Sequence, residues 1–332
     1  MLKRIALALG LSLVMTTASA SPDFWQHEWP KTNFEKTSVE NWVEILSGGP
    51  PKDGIPALTN PKFRKASTET RIGDTEPVIT VEINGDIRAY PVRYLTWHEI
   101  ANDTVGGVPV AVTFCPLCNS GITFDRRVPQ GTLTFGVSGK LRNSDMVMYD
   151  RETESWWQQA VGEAIVGDLL GTELKQLPTW MESWAEFVAR NPEGLVMEEP
   201  DFSRQYGRNP YVSYDSSTKP FLYSGENPPH GIPALERVVR VGARAWPLTR
   251  LSKLGEVTEN GVTLSWASGR GMGSLQAKMA SRSSMGNLLH QSTVPAQRRH
   301  PMKRSSTPPA HSGSWVLRHA DAHLKSSSER VG

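Results

Sequence analysis

Two short passages of this chain are written twice, in the same order. Gly54-Ile55-Pro56-Ala57-Leu58 returns as Gly231-Ile232-Pro233-Ala234-Leu235, and Arg88-Ala89-Tyr90-Pro91-Val92 with Leu95 returns as Arg244-Ala245-Trp246-Pro247-Leu248 with Leu251. One pentapeptide match arises by chance. Two in order, with a strand-like segment between them each time, point to a repeated structural unit. The chemistry around the first copy is that of strands: residues 78–81 alternate, Asn84-Gly85 supplies a type I′ turn, and residues 87–92 return. A short helix is expected over 95–102, then Gly106-Gly107 and a strand over 108–114, with further strands at 122–125, 132–137 and 146–149. Helical spacing of Trp180, Trp184, Phe187 and Val188 predicts a helix that stops near Asn191-Pro192, and residues 39–46 read as a short helix with Trp42, Val43 and Ile45 near one side. The expected fold class is α+β and β-rich: two related β modules with short helices packed on them, and a disordered C-terminal tail.

The two ends of the chain differ from its middle. Residues 1–20 carry Lys3 and Arg4, an apolar run from Ile5 to Met15, and a small-residue close, Ala18-Ser19-Ala20. This is the pattern of a secretory signal peptide cleaved before Ser21. The apolar run falls well short of the roughly 20 residues that span a bilayer. A periplasmic or secreted protein with no membrane span after cleavage is the expectation, with one β-rich domain over 21–267 whose repeat covers about 53–95 and 230–251. Residues 268–332 hold no Ile, Phe, Tyr or Cys, carry a net charge of +8 against −6 for the rest, and contain thirteen Ser. Such a stretch buries too little apolar surface to offset the entropy of ordering itself. It reads either as a basic tail that touches nucleic acid or anionic lipid without specificity, or as out-of-frame coding.

Two cysteines exclude a disulfide-stapled mini-domain and any four-cysteine zinc module. They stand as Cys115-Pro116-Leu117-Cys118, a spacing open to a redox dithiol, a metal clamp or a local disulfide. The residues that follow look like a turn and a strand. A thioredoxin-type site needs its first thiol at a helix N-terminus, so that reading recedes. Outside the tail the histidines are His27, His98 and His230, and His98 lies one strand before Cys115. Cys115, Cys118 and His98, with Met146 or Met148 as a thioether, would suit copper or zinc. The alternatives are a thiol-disulfide oxidoreductase and a non-catalytic module with a structural disulfide. His98-Glu99-Ile100-Ala101-Asn102 lacks the second histidine of the zincin motif. Asp145, Asp150 and Arg151 read equally as acid/base groups or as strand-end charges that pair with one another.

The blocks Gly48-Gly49-Pro50-Pro51-Lys52-Asp53-Gly54, Trp97-His98-Glu99-Ile100, Thr113-Phe114-Cys115-Pro116-Leu117-Cys118 and Asn143-Ser144-Asp145-Met146-Val147-Met148-Tyr149-Asp150-Arg151 carry a resemblance. With Arg208-Asn209-Pro210-Tyr211 and Glu236-Arg237-Val238-Val239, they resemble the secreted bacterial and archaeal domain-of-unknown-function family 3179, over about 48–269. The resemblance implies the domain and no particular activity. It departs after Gly269, where relatives continue into a further β segment with an aromatic-rich last strand.

Overall fold

The computed structural model describes residues 22–223, 225–241, 244–267, 274–279 and 290–292. Residues 1–21, where the leader is expected, and most of the C-terminal stretch lie outside the described residues. Of that stretch, Ser274–Met279 pairs antiparallel with Val262–Ala267, and His290–Ser292 pairs with Val238–Val241. Among the described residues no helix is long and apolar enough to cross a membrane.

The first repeated unit begins with the hairpin of Pro77–Ile83 and Asp86–Pro91, closed by Asn84-Gly85, both at positive φ as a type I′ turn requires. Pro91 ends the strand, and the fixed φ of a proline suits a helix start. The helix Val92–His98 follows, burying Val92, Tyr94, Leu95 and His98. It stops at Glu99 (φ 57°, ψ −32°), and Ile100–Val105 then runs as a strand. The helix therefore starts three residues before its expected 95–102 and ends four before it, because the positive-φ turn at Glu99 cuts it off. Ile100–Val105 pairs with Val108–Cys115, which pairs in turn with Ser120–Asp125, the last rung being Cys115 opposite Ser120.

This central sheet is buried on both faces. Val110, Val112 and Phe114 pack with Ile79, Val81 and Tyr90 of the first hairpin's sheet. Ala111 and Cys115, one residue out of phase, pack with Phe135, Met146, Met148 and Trp157 of a third sheet. The period of two in a strand thus decides that Cys115 faces the third sheet. That sheet contains Phe135–Arg142, Asp145–Asp150 and Trp156–Gln158, with Ile45–Ser47 and Glu163–Val166 at its edges. Its far face is covered by Trp25, Trp29 and Phe34, which meet Trp156 edge-on. Asn102 joins the two sheets: its amide donates to the carbonyls of Leu58 and Phe135, and Phe135 N–H donates back to it at 2.8 Å.

Two expected helices change form. Residues 39–46 hold only a single 3-10 turn, Trp42–Glu44, before Ile45–Ser47 pairs with residues 140–142. Available strand pairing outweighs a short amphipathic pattern. Trp180–Ser183 is a strand, and the helix starts at Trp184, where Ser183 and Glu186 form a reciprocal capping box.

The second unit repeats the first. Val238–Val241 and Arg244–Pro247 form the hairpin, Leu248–Leu254 the helix, and Glu256–Glu259 and Val262–Ala267 the returning strands. Its core is Val239, Val241, Leu248, Leu251, Val262 and Leu264.

Candidate metal centre

Cys115 ends a strand, Cys118 lies third in the four-residue turn over 116–119 that follows, and both are reduced thiols. Asp145 opens the first strand after the Asn143-Ser144 turn in the facing sheet. One sulfur from each cysteine and one oxygen of Asp145 lie within 4.8 Å of one another, and all three residues are buried. The Cys118 thiol donates to Asp145 Oδ1 at 3.4 Å and lies 3.5 Å from the Ser144 carbonyl. The other carboxylate oxygen accepts from Ala160 N–H at 3.0 Å and from the Gln158 amide. Ligands around one zinc ion with Zn–S bonds of about 2.3 Å stand roughly 3.5 to 4 Å apart, so this cluster needs little adjustment to share an ion.

Gln159 holds the two walls together. Its amide nitrogen donates to Thr113 Oγ1 at 2.9 Å, its amide oxygen accepts from Ser120 Oγ at 2.9 Å, and its backbone N–H donates to the Met146 carbonyl at 3.0 Å. Thr113 and Ser120 flank the cysteine turn, and Met146 follows Asp145. One buried side chain therefore fixes the thiols against the carboxylate.

Glu99 is the second acid of the site. Its backbone is held by Glu99 N–H donating to Leu95 O and by Phe114 N–H donating to Glu99 O, each at 2.7 Å, which sets it beside the strand end that carries Cys115. Among the described residues, no donor or cation engages its carboxyl. Burial, and then the charge of Asp145, push its pKa up to about 8. Burial likewise raises Asp145 to about 6, against the hydrogen bonds that it accepts. For Cys118 the hydrogen bond with Cys115, burial and the negative neighbours all push the thiol well above its usual range. A buried acid without a partner is costly, and such groups gather at functional sites. Tyr211 and Tyr214 approach from the loop after residue 206. Burial raises both hydroxyls.

His98 is placed elsewhere. The Pro56 carbonyl can only accept, so Nδ1 carries the proton donated to it at 2.7 Å, and Nε2 accepts from the Tyr206 hydroxyl at 2.6 Å. Neither nitrogen retains a lone pair for a metal, burial lowers the ring's pKa, and Phe202 packs against its face. The expected soft site thus keeps Cys115 and Cys118, exchanges His98 for Asp145, and has Glu99 close by. Met146 and Met148 lie in the apolar cluster that contains both cysteines. Asp145 and Asp150 do not pair with Arg151: Asp150 accepts from Trp157 Nε1 and Thr153, while Arg151 pairs with Asp53. The side chain of His230 lies outside what is described.

A family model described as a protein of unknown function (DUF3179) matches residues 52–313. No curated protein and no solved structure matches the chain.

Proposed function

The chain belongs to the DUF3179 family, whose description assigns no reaction, and from the buried cluster we propose that it is an exported metal-binding protein whose ion sits between Cys115, Cys118 and Asp145. The observation that carries this reading is a carboxylate from one sheet meeting two thiols from another in a buried space. Two thiolates suit copper or zinc; the hard carboxylate oxygen favours zinc. Three protein ligands leave one coordination position open, as in catalytic zinc sites, and Glu99 is the nearby carboxyl suited to exchange a proton there. The leader-like residues 1–20 favour action outside the cytoplasm, where a bound ion protects the thiols from oxidation. A thiol-disulfide role fits less well. An attacking cysteine needs a depressed pKa and access, whereas Cys118 is buried and raised.

Elemental analysis with thiol titration of protein purified from the periplasm tests the proposal. About one zinc or copper per chain is expected, with two titratable thiols after chelation, and Asp145→Asn should weaken retention. A metal-free protein with an oxidised Cys115–Cys118 pair would overturn it.

A further inference from the structure

We propose that residues 199–223 are a strap over the outer side of the cysteine turn, fastened by the hydrogen bond between His98 and Tyr206, and that opening this latch controls access to the two thiols. After Met197 no strand or α-helix occurs among the described residues until Val238. A connection of that length without regular structure is uncommon and usually works as a lid or a binding loop. Tyr211 and Tyr214 of the strap line a cleft of about 300 Å³ whose other lining includes Phe114, Pro116 and Leu117. Pro116 and Leu117 are the two residues between the thiols. The strap thus meets the turn across a gap, and its fastening falls elsewhere.

That fastening is at the end of the Val92–His98 helix. The Tyr206 hydroxyl donates to His98 Nε2 at 2.6 Å, its ring meets Tyr94 edge-on at 5.2 Å, and it packs on the core of the first unit. Phe202 lies 4.9 Å from the His98 ring. The Pro56 carbonyl takes the Nδ1 proton and so leaves Nε2 as the acceptor that the Tyr206 hydroxyl needs. Past this anchor the strap is held more loosely. Val212 and Phe221 stand exposed, and Ser213 (φ 66°) and Leu222 (φ 50°) hold the left-handed backbone that residues other than glycine avoid. Such a segment opens locally at far lower cost than the domain unfolds.

The second unit carries the same helix end uncovered. Leu254 stands at the position of His98, as the last residue of its helix, and is 52% exposed, whereas His98 is 0% exposed. The repeated fold therefore does not itself require a buried side chain there; His98 is buried by the Tyr206 and Phe202 that lie against it. The gate acts on the thiols with or without an ion. Its control of ion entry and exit rests on the metal reading above.

The rate of alkylation by iodoacetamide in the reduced, chelated full chain tests this. Cys115 and Cys118 are its two cysteines, so all thiol label reports on the turn. Strap opening predicts a parent rate that stays flat across low urea concentrations, because it exposes little surface. Tyr206→Phe keeps the ring but leaves Nε2 without its donor, and should label about tenfold faster with the rate still flat. His98→Leu, which supplies the residue of the second unit, should label faster in the same way. An unchanged rate in Tyr206→Phe, or a rate in either protein that climbs with urea along the full unfolding slope, would overturn the proposal. In protein loaded with zinc, transfer of the ion to a chelator should quicken in Tyr206→Phe by the same factor. Asp145-dependent metal retention with unchanged labelling in Tyr206→Phe keeps the ion and removes the strap; flat, latch-dependent labelling in a chain that holds no metal keeps the strap and removes the ion.

Discussion

Residues 77–115 and 238–267 build the same hairpin, helix and returning strands, yet among the described residues only the first leads into a cluster of two thiols and a carboxylate. The likeness extends to single bonds. In each, the hairpin's second strand ends at a proline that opens a seven-residue helix, and the residue after the helix donates to a leucine carbonyl, Leu95 or Leu251. In each, that residue accepts at 2.7 Å from an aromatic residue of the last strand, Phe114 or Trp266. Each pairs the arginine of the repeated sequence with an acid beyond the helix, Arg88 with Asp103 and Arg244 with Glu259, both at 2.7 Å. The difference lies in two positions. Where the second unit has Gly255 (φ 73°, ψ −49°), the first has Glu99 in the same conformation. Where the second has Ala267 after its aromatic residue, the first has Cys115. Glycine is the residue that this backbone asks for, since positive φ with negative ψ costs a side chain on the order of 1–3 kcal/mol. Glu99 accepts that strain and is buried with no partner for its carboxyl among the described residues, which sets it apart from Gly255.

The comparison is broken or sharpened by exchanging these positions. Cys115→Ala, which gives the first unit the residue of the second, should abolish metal retention in elemental analysis while the chelated protein keeps its melting midpoint within a few degrees. His98→Ala has no counterpart effect on the ion. It removes the ring that joins Pro56 and Tyr206 and should cost about 3 kcal/mol in denaturant unfolding with metal content unchanged. A loss of the metal would return His98 to the site. Glu99→Gly should stabilise the chelated protein by about 2 kcal/mol by relieving backbone strain and removing a buried acid. Gly255→Ala should do the reverse by about 1 kcal/mol.

A pH series separates the two contributions at Glu99. Its carboxyl titrates near 4.5 when unfolded and about 8 when folded, so the folded state holds the extra proton between these values. Stability from this group is complete below the unfolded pKa and is lost as pH rises through the folded one. The stability of the chelated parent against unfolding should therefore fall from acid to mildly alkaline pH. Glu99→Gln should flatten that slope, and an unchanged slope would place the titration on another group.

Much of this was legible before any coordinates. The repeated residues 88–92 and 244–248 fall at the same strand-to-helix junction in the two units, Asn84-Gly85 closes one hairpin, and the CxxC contains both thiols. The third member of the cluster was harder to see. His98 and Glu99 are neighbours, and which of them approaches Cys115 depends on the residue at which the helix ends; a shift of one reverses the direction of the side chain. A glutamate in a conformation suited to glycine leaves no trace in hydrophobic periodicity, and only alignment with Gly255 reveals it. Asp145 is visible in Asn143-Ser144-Asp145-Met146, where it reads equally as an acid/base group or as a strand-end charge. Its contact with Cys118 comes from the packing of two sheets, which neither local pattern contains. Residues 39–46 were misread for the same reason: their partner strand lies about a hundred residues further on.

The Gln159 bridge gives the centre a stiffness with its own consequence. Because its bonds run to Thr113, Ser120 and the Met146 carbonyl and to none of the three proposed ligands, they hold the gap between the sulfurs and the Asp145 oxygen whichever ion fills it. A gap held in this way discriminates by ionic radius as well as by softness. Cadmium, with the same charge and a greater liking for sulfur, is larger than zinc and must push the two sheets apart to enter. The ratio of zinc to cadmium affinity is then a gauge of this one amide, and shortening it in Gln159→Ala should let the larger ion in.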